Sequence, residues 1–205
     1  LVTLGLAAGF ILWSAQQIDD RSLARQRVLA ARMIEAAKDD FETSQRDQVL
    51  RYDAVDVFLG GKPGKDDIDD YFGEDEYEVY GHQRVYVLDP NLDPVYAARE
   101  GEAIAADGYS ADRAAIDPLA VRFRAPAMQS EIVAYEQGTA DTPPQVSDFV
   151  TLGGRVAIAT VLPIVSNWDD QEQKPAHIYY HVAINFIGGD LAQSLMDQYL
   201  LDGVH

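Results

Sequence analysis

Two short runs rich in Val and Tyr flank a tight connection in VYVLDPNLDPVYAA, residues 85–98. Pro90 and Pro94 cannot donate hydrogen bonds to a strand ladder, so both strands must end at or beside the connection. A connection this short joins neighbouring strands that run in opposite directions. The sequence therefore predicts a β-hairpin, and any fold of the chain has to contain this antiparallel pair.

The last third of the chain predicts further strands. GRVAIATVLPIV, residues 154–165, is apolar on both faces, which is typical of a central strand covered on both sides. HIYYHVAINF, residues 177–186, alternates instead. Its apolar face consists of Ile178, Tyr180, Val182, Ile184 and Phe186, and its polar face of His177, Tyr179, His181 and Asn185. Strands that follow one another without regular helix crossovers favour an antiparallel sheet in an α+β domain.

Helices are predicted before, between and after these strands. From Gln17 to Leu59 there is no Pro or Gly and good helix formers dominate, so one or two long helices are expected. Residues 112–137 predict a helix that is interrupted near Pro118 and Pro126. Asp190 can cap a closing helix. The predicted order is long helix, hairpin, helix, two or three long strands and helix.

The segment LVTLGLAAGFILWSAQQI, residues 1–18, carries no charged side chain. Its most apolar part ends at Trp13, an aromatic residue of the kind that favours the boundary between lipid and water. A full span needs ~20 apolar residues, so we interpret the segment as the outer part of a transmembrane helix. A cleaved signal peptide is the alternative, but the run passes into a helical pattern without a convincing small-residue cleavage site. Both interpretations place the remainder outside the cytoplasm.

An apolar stripe along the long helix predicts a contact surface. Its members recur at spacings of three and four, with one gap bridged by Arg27, and are Leu23, Ala30, Ile34, Ala37 and Phe41. We expect this stripe to form the seam of a parallel homodimer emerging from the membrane. A helix that packs on its own domain fits the stripe equally well, because the heptads are few.

The composition disfavours several partners. Asp and Glu number 34 against 16 Lys and Arg, giving a formal charge of -18, whereas nucleic acid and anionic lipid both require clustered cations. The absence of cysteine excludes thiolate chemistry. The acidic run DDIDDYFGEDEYEVYGHQ, residues 66–83, lacks the spacing of an EF-hand loop, so we interpret it as a solvated charged face.

No catalytic constellation stands out in the sequence. It contains no GxSxG elbow, no Gly-rich phosphate loop followed by Lys and no HExxH motif. The tripeptide GGD at residues 188–190 lacks the context of a nucleotidyl cyclase signature. His177 and His181 would lie ~13 Å apart along a strand, too far to bind one metal ion directly. We predict no catalytic residue, metal or cofactor for this chain, and no enzymatic activity of its own.

Matched alternation on two strands predicts a ligand-binding wall. His82, Arg84 and Tyr86 would point one way from the first strand, and His177, Tyr179 and His181 one way from the last. We expect His82, Arg84, Tyr86, Tyr179 and His181 to line a pocket for a small anionic or polar molecule. The alternative is that these residues face water, because sequence does not fix which face of a sheet is covered.

Three runs together resemble the CHASE type-four domain, an extracytoplasmic sensory module of bacterial transmembrane signalling proteins. They are YGHQRVYVLDPNLDPVYAAREG, DFVTLGGRVAIATVLPIV and FIGGDLAQSLMDQYLLDGV. The resemblance extends from about Gln45 to the end of the chain. The family also tends to carry an Asp-Tyr-Ala-x-Trp-Asp motif on its helix. RYDAVD, residues 51–56, keeps the Tyr and the last Asp but has Arg, Asp and Val at the other diagnostic positions, so we transfer no ligand role to it.

The resemblance implies a sensor of the PAS or Cache type between two membrane spans. Cyclic-di-GMP synthase and phosphodiesterase domains, or a histidine kinase, would follow in the cytoplasm. We therefore expect a membrane segment at 1–18, a signalling and dimerisation helix at 19–60 and a sensor domain at 61–205, with a second span after His205. The domain would face the periplasm from the bacterial inner membrane and bind an unknown small molecule. A membrane-tethered envelope scaffold without an output domain is the alternative.

Overall fold

The computed structural model describes residues 28, 32–50, 55, 57, 65–166 and 178–188. The chain divides into two compact units after Asp39, and the sheet belongs to the second, Asp40–His205. None of the helices in the described residues combines the length and apolarity that crossing a membrane requires. The predicted membrane segment and the predicted closing helix lie outside the described residues.

A six-stranded antiparallel sheet forms the centre of the second unit. Its strands are β1 Arg84–Leu88, β2 Pro94–Arg99, β3 Glu102–Ile104, β4 Val146–Leu152, β5 Arg155–Ile164 and β6 Tyr179–Phe186. Their order across the sheet is β3-β2-β1-β6-β5-β4, so β6 lies between the hairpin and β5. The α+β class, the antiparallel sheet and the central position of β5 are confirmed.

The predicted hairpin is formed by β1 and β2. Their register pairs Val85 with Ala98, and it shifts between Val87 and Leu88 beside the connection. The Asp89 carboxylate accepts hydrogen bonds from the backbone N–H groups of Asn91, at 2.8 Å, and Asp93, at 2.9 Å. Aspartate in a turn satisfies its own backbone in this way. From outside the hairpin, Arg124 Nη2 donates to the Asn91 carbonyl oxygen at 2.7 Å.

The helices precede and interrupt the sheet. Residues 32–49 are helical and are called α1 here. The others are α2 Lys65–Phe72, α3 Glu74–Glu78, α4 Arg113–Ala120 and α5 Pro126–Glu136, with 3-10 turns at Ala106–Ala111 and Val121–Arg124. The interruption predicted near Pro118 and Pro126 is confirmed: α4 ends shortly after the first proline, and the second begins α5. Most of the acidic segment forms α2 and α3.

The two faces of the sheet are both covered. On one face, which we call the α4–α5 face, Tyr86, Leu88 and the apolar residues of β6 pack with side chains such as Ile116 and Ile132. On the other, the α1–α3 face, Val85, Val87, Leu162 and Ile164 pack with Val49, Ile68 and Phe72. The apolar face predicted for β6, from Ile178 to Phe186, lies entirely in the first core. Of the polar face predicted for β6, Tyr179 and His181 are also buried, whereas Asn185 is half-buried.

Candidate functional site

The residues predicted to form one ligand wall lie on two different faces of the sheet. Cα partners across β1 and β6 pair Tyr86 with Val182 and Val87 with His181. Side chains at paired positions share a face, so Arg84 and Tyr86 lie on the α4–α5 face, opposite His181. Tyr179, two residues from His181, packs in the core of the α1–α3 face. The expectation of a shared face is wrong, and His177 lies outside the described residues.

On the α4–α5 face, Arg84 and Tyr86 meet a carboxylate of their own chain. Arg84 Nη1 lies 2.7 Å from Asp112 Oδ1, and the Tyr86 hydroxyl donates to Asp112 Oδ2 at 2.6 Å. Asp112 is only 2% exposed and directly precedes α4. Burial, followed by this hydrogen bond, raises the pKa of Tyr86 to about 12. The Asp112 carboxylate thus accepts hydrogen bonds from both Arg84 and Tyr86. These bonds connect β1 to the start of α4.

On the α1–α3 face, a carboxylate and two imidazoles form a fully buried cluster. Glu76 of α3 contacts His82 Nδ1 through Oε2, and its Oε1 lies 3.1 Å from His181 Nε2. The side chains of all three are 0% exposed. Glu76 Oε1 and His181 Nε2 have no aligned hydrogen-bond partner, so their contact is close but poorly directed. We call these three residues the Glu76 cluster.

Gln45 of α1 joins the cluster to the sheet. Its Nε2 lies 3.0 Å from His181 Nδ1, 3.2 Å from the His181 carbonyl oxygen and 3.4 Å from the Thr160 carbonyl oxygen. Its Oε1 accepts from Gln145 Nε2 at 2.7 Å. Because two carbonyl oxygens and a donor surround the amide, only one orientation satisfies it. The Gln45 amide therefore donates to His181 Nδ1, which leaves the ring proton on Nε2 facing Glu76.

A second α1 residue, Ser44, lies on the other side of the cluster. Its Oγ is 3.1 Å from His82 Nε2 and donates to the Phe41 carbonyl oxygen at 2.9 Å. His82 Nδ1, on the opposite side of the ring, contacts the Glu76 carboxylate, so His82 lies between α1 and Glu76.

Aromatic rings enclose the two imidazoles. Phe41 meets the His82 ring edge-on with centroids 4.9 Å apart, and Tyr80 stacks on the same ring at 5.8 Å. Phe72 covers His181, also at 4.9 Å. These rings exclude water from the cluster, which strengthens the electrostatic interactions inside it.

The two histidines keep the buried Glu76 carboxyl ionised. Burial has the largest single effect and by itself would raise the pKa of this group. The attraction of His181, its close contact with Oε1 and the hydrogen bond with His82 together outweigh burial, and they lower the pKa from 4.5 to about 2. The cluster thus contains a permanent anion whose neutralisation depends on imidazole protons.

The Glu76 cluster has a composition that zinc sites also use, but its hydrogen bonding does not suit a metal ion. Metal-binding histidines donate their second ring N–H to an acceptor. His181 Nδ1 instead faces the Gln45 amide, so Nε2 keeps its proton. Within the described ranges, no group of three or more His, Asp or Glu side chains is arranged to hold a metal ion.

Sequence reasoning missed Glu76 and Gln45. The acidic run was interpreted as a solvated face, which holds for Glu74, Asp75 and Glu78 but is wrong for Glu76, because this side chain meets the two histidines. One signal was available for Gln45. The spacing of the apolar stripe, continued past Phe41, reaches Gln45 and Gln48, and a polar residue in an apolar stripe needs a buried partner.

The predicted dimer stripe is described only in part. Ile34 is half-buried, while Ala37 and Phe41 are 7% and 5% exposed. Phe41 has a contact within its own chain, the ring of His82. Leu23 and Ala30 lie outside the described residues, and the homodimer stays a prediction.

Residues 33–205 match the family model of the CHASE4 domain. The matched range contains the sheet, the Glu76 cluster and the α1 residues that contact it. No curated protein matches the chain at a significant level. CHASE4 domains are extracellular sensory domains of signalling proteins. Because the match spans most of the chain, this protein belongs to the CHASE4 domain family.

Proposed function

We propose that this domain detects a small ligand or a condition of the cell envelope and transmits it across the bacterial inner membrane to a cytoplasmic cyclic-di-GMP synthase or phosphodiesterase. The chain itself supplies recognition and movement but no catalysis. Membership of a sensory family supports the first half of this proposal. The way α1 is attached to the sheet supports the second half.

The observation that carries the proposal is the polar attachment of α1. Ser44 and Gln45 contact His82 and His181 through side-chain hydrogen bonds, and Gln45 also reaches the Thr160 carbonyl oxygen. An apolar contact weakens gradually when it is disturbed, whereas a buried hydrogen bond whose partner is lost leaves an unsatisfied group. The α1 helix therefore has two distinct energetic states, attached with its polar groups satisfied or displaced with them exposed to water.

A sensor can transmit only if its two states differ in their interaction with the stimulus. Anything that changes the hydrogen-bonding capacity of the two histidines changes the stability of the attached state. Small shifts of a helix that continues toward the membrane are a common form of transmission. We expect α1 to act in this way, as a homodimer whose subunits meet along the stripe that contains Ile34.

The test uses the full-length protein in membranes and measures cellular cyclic-di-GMP. Gln45→Leu removes the amide but keeps side-chain volume, so it should change the cyclic-di-GMP level by favouring displaced α1. Gln137→Leu, the same change at an exposed position after α5, should leave that level unchanged. Equal levels in the two variants and the wild type would contradict transmission through α1.

Two controls separate the possible outputs. The purified 205-residue chain should neither make nor hydrolyse cyclic-di-GMP. If the full-length protein does neither as well but phosphorylates itself from ATP, the output is a histidine kinase. If it does none of these, the envelope scaffold is the better interpretation.

A further inference from the structure

Three arginines and one phenylalanine meet at one end of the sheet, on the α4–α5 face. Arg84 begins β1, Arg99 ends β2, Arg155 begins β5 and Phe186 ends β6. These four strands are neighbours in the sheet, and their antiparallel pairing brings the four positions to the same end. Arg84 and Arg99 are direct cross-strand partners, so their side chains share a face. We call Arg84, Arg99 and Arg155 the arginine end of the sheet.

The Phe186 ring contacts two of the three guanidinium groups. The guanidinium carbon lies 4.0 Å from the ring centroid for Arg155 and 4.8 Å for Arg84. Since both distances end at the same centroid, the two cations lie within about 9 Å of each other. A guanidinium group placed over a ring keeps the N–H groups along its edge available for the oxygen atoms of another partner.

The described carboxylates balance only part of the charge at the arginine end. Asp112 is buried and contacts Arg84 through both of its oxygens. In the part of the chain that the structure describes, no ion pair involves Arg99 or Arg155. Glu102 lies opposite Arg99 on β3 but is exposed, so water and salt screen its charge. Two guanidinium groups are thus left without a close carboxylate.

Arg99 also has hydrogen-bonding capacity that its own chain does not use. Its Nη2 donates to the Gly108 carbonyl oxygen at 3.0 Å. Its Nε is buried and has no hydrogen-bond partner among the described residues, whereas buried donors in folded proteins are nearly always paired. Like charges directly opposite each other on neighbouring strands are destabilising, which applies to Arg99 and Arg84. A bound anion would provide an acceptor and reduce this repulsion.

We propose that the arginine end binds a small dianion that carries carboxylate or phosphate groups. Arg99 and Arg155 bind its oxygen atoms, while Arg84 stays with Asp112 and adds its positive charge. Two guanidinium groups without a carboxylate match two negative charges, and the planar guanidinium fork donates paired hydrogen bonds to either kind of oxyanion. The charge of -18 on the whole chain repels anions elsewhere, which confines binding to this end. This inference rests on the proposed function, because it names the class of ligand that the sensor detects.

The arginine end lies next to a contact of α1. His82, which contacts Ser44 of α1, precedes Arg84 by two residues. Gln83, between them, accepts a hydrogen bond from the Phe186 backbone N–H at 2.7 Å through its side-chain oxygen. A dianion held beside Arg84 and Phe186 therefore acts on the segment that carries the α1 contact.

The test measures the binding of two dianions, succinate and inorganic phosphate, to the purified 205-residue chain. Isothermal titration calorimetry is carried out at constant ionic strength and at a pH where phosphate is a dianion. Acetate, which has the same carboxylate chemistry but one charge, is the control. We expect saturable binding of at least one dianion at a single site, and binding of acetate that is at least ~10-fold weaker. No saturable binding of either dianion overturns the proposal, and so does acetate binding as tight as theirs.

Substitutions locate the site. Arg155→Gln and Arg99→Gln should each weaken binding of the dianion by at least ~10-fold, because each removes charge-assisted hydrogen bonds. Arg122→Gln, the same change at an exposed arginine that faces Asp148, should leave the affinity unchanged. Since Arg99 is half-buried and its variant can fail to fold, the exposed Arg155 provides the independent test. Wild-type affinity in Arg155→Gln overturns the proposal.

Cellular output separates this inference from the proposed function. Cyclic-di-GMP in cells carrying the full-length protein is measured with and without external succinate or phosphate. Binding to the purified chain without a change in output refutes transmission to a cyclic-di-GMP module and leaves the anion site standing. Output that responds to Gln45→Leu, when the purified chain binds neither dianion, refutes the anion site and leaves the proposed function standing.

Discussion

Replacing Glu76 by Gln tests whether the buried cluster contributes to the stability of the fold. The substitution keeps the size of the side chain and removes its charge, so the two buried imidazoles lose the anion that they contact. Lowering the pKa from 4.5 to about 2 corresponds to about 3 kcal/mol of stabilisation of the carboxylate in the folded state. Removing one partner of a buried ion pair typically costs ~3–5 kcal/mol, which is the same order.

The lowering of the Glu76 pKa also determines how the stability of the fold depends on pH. A carboxyl group whose pKa is depressed by folding stabilises the protein above its unfolded value, and this stabilisation is lost as the pH falls through the folded value. The wild type should therefore lose about 3 kcal/mol between pH 4.5 and about 2, while Glu76→Gln should lack this part of the acid response. Urea unfolding followed by circular dichroism at several pH values measures both effects.

Glu78→Gln supplies the matched control, because Glu78 ends the same helix but is exposed. We expect a change within ~0.5 kcal/mol for this variant. If Glu76→Gln were as stable as Glu78→Gln at neutral pH, or showed the full acid response of the wild type, the ionised Glu76 carboxylate would not be what stabilises the cluster.

Three other expectations concern separate parts of the molecule. Tyr86→Phe should lower the free energy of unfolding by ~1–3 kcal/mol because a buried carboxylate loses a donor, whereas Tyr77→Phe at an exposed site should change it little, and denaturant titration compares them. Gly73→Ala should lower the melting temperature, since a Cβ there would lie 2.6 Å from a backbone oxygen of α2 and force a shift costing ~1–3 kcal/mol. If the chain dimerises through the stripe, a cysteine at Ile34 should crosslink in membranes more efficiently than one at the exposed Glu35; equal crosslinking would argue against the seam.

Local patterns in the sequence predicted the elements of the sheet well. The hairpin and the alternation of β6 depend on neighbouring residues, and both are found as expected. The shared ligand wall failed because the register pairs Tyr86 with Val182, which puts Arg84 and Tyr86 on the face opposite His181. A second error was to extend strict alternation backwards from Arg84 to His82. The strand begins at Arg84, and Gly81, with φ of 71°, redirects the chain just before it. His82 consequently reaches the α1–α3 face, opposite the one that alternation assigns to it.

The Glu76 cluster could not be predicted from the sequence for a different reason. Its members come from α3, the residue before β1 and the middle of β6, and they meet only because β6 pairs with β1. Which strands pair is decided by the packing of the whole sheet, and no local pattern encodes it. Glu76 also stands among acidic residues that do face water, so the composition of the acidic run gives no sign that one of its members is buried. Only the burial of Gln45 could have been predicted, because it is a polar residue in an apolar stripe.

The position of β6 between β1 and β5 has a consequence for the order in which the chain can fold. The hairpin with β3 and the β4–β5 pair each form from neighbouring sequence, but they are joined only when the last described strand arrives between them. Contacts of such large sequence separation form slowly. Until then, β1 and β5 each present an unpaired edge, the kind of surface that pairs with other chains and aggregates. Synthesis or export that stalls before residue 178 should therefore leave two open edges at once, so the final strand decides between a closed sheet and an aggregation-prone intermediate.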